Sequence, residues 1–125
     1  MRQVFADTWY FIALISPDDD GHAAVVDWMA NNLRPIVTTE FVLMEVADGV
    51  AEHGDRDVFG RWYHKAVRRS SFQLISASHE LFERGMKMYL DRKDQNWSLT
   101  DCTSFVVMRD LGLTEALTAI SSRPG

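Results

Sequence analysis

The chain has 125 residues, 46% hydrophobic and 25% charged, with a formal net charge of −5. That length is about one domain, able to bury on the order of two-thirds of its unfolded surface, and the composition excludes a disordered chain. No apolar run approaches the roughly 18–20 residues of a membrane span. The acidic balance excludes nucleic-acid binding by broad attraction alone and demands a local basic patch or metal ions instead.

In chain order, the residues alternate between short apolar runs and longer stretches with helical periodicity. Gln3–Ala6 reads as a short buried strand ending at Asp7. The segment before Asp7 is too short and too polar for a signal peptide. Thr8–Ile15 reads as a short apolar helix. Ser16-Pro17-Asp18-Asp19-Asp20-Gly21 is a turn cluster, with Asp19 or Asp20 expected to cap a helix over Gly21–Leu33, where Ala24, Val25, Trp28 and Met29 recur at helical spacing. Pro35–Thr38 is a second strand. Thr38 or Thr39 then caps a helix reaching about Glu52, with Phe41, Val42, Val46 and Ala47 facing inward. Asp55 or Arg56 begins a helix to about Arg69, and Phe72–Ile75 is a third strand. Ser76 or Ser78 caps a helix to Asp91, and Ser98 or Thr100 opens the last long helix, through Leu111. Gly112 stops it, and Leu117–Ala119 is a fourth strand.

Short apolar strands alternating with helices predict an α/β fold in three layers, α/β/α, with a short central parallel sheet flanked by helices. The reading is one domain over 1–125, with 120–125 an irregular or truncated tail. The four histidines are scattered and Cys102 is the single cysteine. Neither a disulfide nor a zinc site is expected, and a reducing, cytoplasmic setting is.

In open α/β sheets, ligands bind beyond the carboxyl ends of the strands, which directs attention to three acids. Asp7 follows the first strand directly and can serve as a helix N-cap or as a ligand. Glu45 lies in Phe41-Val42-Leu43-Met44-Glu45-Val46-Ala47. It shares the stripe of Phe41 and Val42, so it is expected either to reach solvent from the boundary or to hold a cation. Asp101 sits three residues after Ser98 in the pattern of a capping box, yet it shares a face with Phe105 and Met108, an expected core-facing stripe. Clustered carboxylates repel unless a cation lies among them. Oxygen donors suit Mg²⁺ or Mn²⁺, ions that assist phosphodiester hydrolysis.

At these residues the chain resembles the PIN-domain family, and within it the VapC-type toxin ribonucleases. The resemblance rests on Val4-Phe5-Ala6-Asp7-Thr8-Trp9-Tyr10-Phe11, on Thr38-Thr39-Glu40-Phe41-Val42-Leu43-Met44-Glu45-Val46, and most specifically on Trp97-Ser98-Leu99-Thr100-Asp101 before an apolar helix. It implies an endoribonuclease dependent on Mg²⁺ or Mn²⁺, with Asp7, Glu45 and Asp101 as catalytic metal ligands. Thr8 and Ser98 would help to position the site, and Asp94 is a weaker supporting acid that also reads as a solvated loop residue. An RNA substrate, a small antitoxin protein and a homodimer are implied as partners, with no membrane association.

The sequence departs from the family at its end. Leu117-Thr118-Ala119 fits the final strand, but Ile120 stands where a fourth acid is expected, and Ser121-Ser122-Arg123-Pro124-Gly125 has no apolar pattern. A shifted reading frame is one expectation for such an ending. Losing one carboxylate weakens the hold on a second metal, so reduced activity is expected. The alternative is an impaired PIN module that binds RNA or an antitoxin without efficient cleavage. A phosphatase using Asp7 as nucleophile is disfavoured, because Trp9 stands where its general acid belongs.

Arg61, His64, Lys65, Arg68 and Arg69 recur on one helical face, read either as solvated or as an RNA-contacting surface beside the metal site. Trp9, Tyr10, Phe11, Trp28, Trp62 and Tyr63 are read as core or interface residues.

Overall fold

A computed structural model of the chain describes residues 2–52 and 54–117. Strand β1 (Val4–Ala6) leads into α1 (Thr8–Ile15) and α2 (His22–Asn31), then β2 (Ile36–Thr39). Helices α3 (Glu40–Ala51) and α4 (Arg56–Ala66) precede β3 (Phe72–Ile75). Helices α5 (His79–Asp91) and α6 (Leu99–Asp110) precede β4 (Ala116–Leu117). The strands form one sheet in the order β3-β2-β1-β4, with every pairing parallel. Val4 lies opposite Ile36, Phe5 opposite Ala116, and Thr39 opposite Ile75.

The burial pattern shows why this sheet carries helices on both faces. All three residues of β1 are buried, so neither face of the strand meets water. Phe5, Val37, Val42, Val46 and Val106 form the centre of the core. Thr38 and Thr39 are fully buried too, and both hydroxyls are satisfied. Thr38 Oγ1 donates to the Ala6 carbonyl at 2.8 Å, and Thr39 Oγ1 accepts from the Val42 N–H at 3.1 Å as the N-cap of α3. Phe11 of α1 lies 5.1 Å from Trp62 of α4 and 6.5 Å from Phe72 of β3, centroid to centroid, which ties these three elements together. At the amino edge, Arg34 donates to Glu115 Oε2 at 2.9 Å and to the Arg2 carbonyl at 3.2 Å, bridging the approaches to β1, β2 and β4. The Arg34 hydrogen bond and charge hold the Glu115 carboxyl below its ordinary range.

The expected elements are present, with α1 and β3 at their expected bounds. Several other bounds shift by one to three residues, β2 for example running Ile36–Thr39 against an expected Pro35–Thr38, and three details stand out. The N-cap of α2 is Gly21, without a side-chain cap. Asp19 instead accepts from the Gly21 N–H at 2.8 Å in a local turn, the competing bond that short acidic side chains favour. Ala24 is exposed, and α2 buries Val25 instead. Helix α4 ends at Ala66, and Arg68 and Arg69 turn back onto the carbonyls of Lys65 and Ala66. Thr118 and Ala119 of the expected fourth strand lie outside the described residues, as do Ile120 and the tail 121–125.

Of the six aromatics read as core or interface, Tyr10 and Phe11 are buried, Trp28, Trp62 and Tyr63 pack against the core, and Trp9 is 43% exposed. Tyr10 is buried, yet its hydroxyl has no hydrogen-bond partner among the described residues. Burial pushes its pKa up to about 12. A buried unsatisfied hydroxyl costs on the order of 1–3 kcal/mol, so Tyr10→Phe is expected to raise the unfolding temperature. The parent is also expected to lose stability as pH climbs from about 10 to about 12, because the unfolded chain ionises its tyrosine first. Denaturant melts across that window check both points, and the variant should lose less.

Candidate metal centre

Parallel strands set their carboxyl ends along one edge, and the residues that follow them form the usual ligand site. Asp7 follows β1 there. Its backbone is extended (φ −95°, ψ 179°), and Oδ1 accepts the Tyr10 N–H at 3.2 Å, capping α1. Helix α3 leaves β2 at the same edge. Its sixth residue, Glu45, accepts a hydrogen bond at Oε1 from the Thr8 hydroxyl at 2.7 Å. Thr8 is buried. This bond therefore fixes the residue beside Asp7 against the helix that carries Glu45.

Glu45 is not on the core-facing stripe expected for it. It is exposed, and α3 buries Val42, Leu43, Val46 and Val50 instead. The stripe is turned by about one position, so Phe41 is only half-buried and the carboxylate lies at the boundary. Asp101 is displaced in the same sense. Helix α6 buries Cys102, Thr103, Ser104, Val106 and Val107, and Asp101 is exposed. Both halves of the capping box are formed. Asp101 N–H donates to Ser98 Oγ and Ser98 N–H donates to Asp101 Oδ2, each at 3.0 Å. Burial, and after it the charge of Asp101, raises the Cys102 thiol pKa, which keeps it in the unreactive protonated form.

The structure thus joins Asp7, Thr8 and Glu45 at the carboxyl edge. It sets Asp101 and Ser98 at the start of α6, a helix that packs against α3. Among the described residues, no group of three His, Cys, Asp or Glu side chains is arranged to hold a metal ion. The donor chemistry nevertheless fits a hard cation. The bonds from Thr8 and Ser98 each engage one oxygen of the two that the Glu45 and Asp101 carboxylates carry. Mg²⁺ in particular keeps several waters and takes only one or two carboxylates, so a complete protein cage is not required.

Asp94 is a solvated acid clamped by Arg92, which donates to Oδ1 at 3.1 Å and Oδ2 at 3.2 Å. The Arg92 hydrogen bonds hold its carboxyl below the ordinary range. Arg61, His64, Lys65, Arg68 and Arg69 are all exposed, as a solvated face would be. Arg69 accepts the Phe72 N–H at the start of β3, so Arg68 and Arg69 lie at the amino edge, away from Asp7.

A second basic surface escaped the sequence reading. Arg84, Lys87 and Arg92 of α5 and its C-cap line a groove with Arg109 and Phe105 of α6 and with Trp97. The i, i+3, i+8 spacing on α5 was a legible signal. The contribution of Arg109 was not, because it comes from a different helix.

Residues 4–119 match the family model described as the PIN domain. Among solved structures, the chain is similar to VapC20 of Mycobacterium tuberculosis, a toxin that cleaves the sarcin-ricin loop. That match has a TM-score of 0.80 and 22% identity, and covers 92% of this chain and 88% of the other. It is also similar to a toxin–antitoxin complex from Klebsiella pneumoniae, with a TM-score of 0.60 and 17% identity over 97% of this chain and 92% of that one. At these identities the likeness is one of fold. No curated protein sequence matches the chain significantly.

Proposed function

The chain belongs to the PIN-domain family, and from that membership we propose that it is a metal-dependent endoribonuclease of the VapC toxin type, with Asp7, Glu45 and Asp101 as its metal ligands. The observation that carries this reading is the 2.7 Å bond from Thr8 to Glu45. It draws acids from two separate segments to the edge where a phosphodiester would meet them. Thr8 acts as a positioning residue that holds Glu45, and Ser98 does the same for Asp101 through the capping box. The crossover helix α6 returns the chain to the amino end of β4, so it runs against the strands. That direction sets its first residues toward the carboxyl edge of the sheet.

A bound Mg²⁺ or Mn²⁺ would supply positive charge to the phosphate and lower the pKa of an attacking water. The protein side of the site holds each carboxylate by a hydrogen bond, Asp7 and Asp101 at helix starts and Glu45 in the second turn of α3. A small antitoxin partner belongs to the same reading, supported by the fold likeness to a toxin from a toxin–antitoxin complex. So do a homodimer, for which Met44, 62% exposed on α3, offers an apolar contact, and a cytoplasmic setting.

A second reading, an impaired module that binds RNA or an antitoxin without efficient cleavage, is favoured by Ile120 in place of an acid. One assay separates the two. Cleavage of a labelled single-stranded RNA is measured against Mn²⁺ and Mg²⁺ concentration, with EDTA as control. The nuclease reading expects cleavage that rises with metal and stops with EDTA. Binding without cleavage at any metal concentration would establish the impaired module instead.

A further inference from the structure

We propose that the groove between α5 and α6 is the track for a single-stranded RNA segment flanking the cleavage site, with phosphates held by Lys87, Arg92 and Arg109 and one base stacked at Trp97. The inference rests on the nuclease reading above.

The groove has a volume of about 550 Å³, in the size range of small-ligand sites. Its walls run against the overall sign of the protein. Four cations line it, Arg84, Lys87, Arg92 and Arg109, with Asp91 as the one acid, in a chain whose net charge is −5. The other two acids that hold these cations, Asp94 and Asp110, do not line it. Arg109 makes no salt bridge with any described residue. The pairs of Lys87 and Arg92 are exposed. Such pairs are weak and salt-screened, so a phosphate can replace the carboxylate.

The aromatic element makes the groove more than a basic patch. The Trp97 and Phe105 rings meet edge to face, with centroids 4.8 Å apart at 68°. The Arg92 guanidinium lies 5.1 Å from the centre of the Trp97 ring. Trp97 is half-buried, so its ring is anchored and still reachable. A cationic groove with an anchored aromatic is the arrangement that binds single strands without reading their sequence. Position completes the case. Trp97 directly precedes the N-cap of α6, and Phe105 lies one turn beyond Asp101 on the same helix. A strand lying in the groove therefore passes the turn that carries a proposed metal ligand. Arg68 and Arg69, beyond the end of α4, have the charge, and Arg69 has aromatics beside it, but they lie at the amino edge and lack this neighbour.

The test is fluorescence anisotropy of a labelled single-stranded RNA in EDTA, titrated across salt concentrations. The double variant Lys87→Gln/Arg109→Gln changes exposed side chains and should fold as the parent does. It is expected to weaken binding and to lower the slope of log affinity against log salt by about 1.4, the value for two lost phosphate contacts on a single strand. Trp97→Ala is expected to weaken binding about tenfold or more with the slope unchanged, and Trp97→Phe to restore most of the loss. Parent-like affinity and slope in the double variant would overturn the proposal. So would tighter binding of an acidic polyglutamate peptide than of RNA, which would mark the groove as a protein-docking site. The outcomes also separate this inference from its premise. Groove-dependent binding without cleavage in Mn²⁺ upholds the track and rejects the nuclease. Cleavage by the parent that the groove variants leave unchanged upholds the nuclease and rejects the track.

Discussion

Asp7→Asn is expected to lose metal-dependent RNA cleavage by at least about 100-fold while melting within about 3 °C of the parent. The two halves of this result come from different physics. Asp7 caps α1 through Oδ1, which accepts the Tyr10 N–H. Asparagine caps a helix about as well as aspartate, so the bond survives. What is lost is the favourable charge at a helix N-terminus, about 0.3–1 kcal/mol, or a few degrees for a domain of this size. The metal site loses much more. An amide is a poor ligand for a hard cation compared with a carboxylate. Partners one step removed from a metal already cost about 10–100-fold when altered, so a ligand should cost at least the upper end.

The comparison with Asp7→Ala makes the result decisive. Alanine removes both cap and ligand, so it should add about 1 kcal/mol of destabilisation with no further loss of cleavage beyond that of Asp7→Asn. Glu45→Gln extends the logic, since the glutamine oxygen can still accept the Thr8 hydroxyl while the charge is gone. If Asp7→Asn cleaves like the parent, Asp7 is a helix cap and nothing more.

The layers of the fold were legible in the sequence because strand and helix periodicities differ so plainly here. Val4-Phe5-Ala6 has no polar face, and that alone required cover on both sides. Two of the acids were legible for the same reason, Asp7 standing directly after a strand and Asp101 at a helix start, and Glu45 was legible as a charge inside an apolar helix. Their orientation was not. A single apolar stripe such as Phe41 to Val46 fits two rotations of a helix that differ by one residue. Packing against α1 and α6 chose the rotation that buries Leu43 and leaves Glu45 exposed. The Thr8–Glu45 bond spans 37 positions in the chain, so no local pattern could announce it. The α5–α6 groove was hidden likewise, because its lining is divided between two helices. Asp19 shows a smaller version of the problem. An acid before a helix can cap it or close the preceding turn, and the two bonds compete within about a residue of each other.

Gly85→Ala is expected to destabilise the protein by about 2 kcal/mol net, despite the intrinsic preference of helices for alanine. A Cβ at this position would lie 2.5 Å from Thr103 Cγ2, and 3.2 and 3.3 Å from the Thr103 backbone nitrogen and Cα. The methyl cannot simply rotate away. Thr103 is 1% exposed, and its hydroxyl donates to the Thr100 carbonyl at 2.7 Å, which fixes the side chain. The two backbone contacts cannot yield without moving α6 as a unit. Overpacking of this kind costs roughly 1–3 kcal/mol and more when backbone must shift, against a gain of about 1 kcal/mol from replacing glycine within a helix. The clash wins, and a thermal melt should fall by roughly 5–10 °C. Adding Thr103→Ser removes the 2.5 Å contact while keeping the hydroxyl, so it should recover more than half of the loss. A Gly85→Ala protein as stable as the parent would mean that α5 and α6 do not pack this closely. The same displacement carries a functional cost. Helix α6 bears Asp101 and follows Trp97, so pushing it off α5 shifts a proposed ligand and the groove wall together. Cleavage and RNA affinity should therefore decline well below the melting temperature, and the Thr103→Ser partner should recover both along with stability.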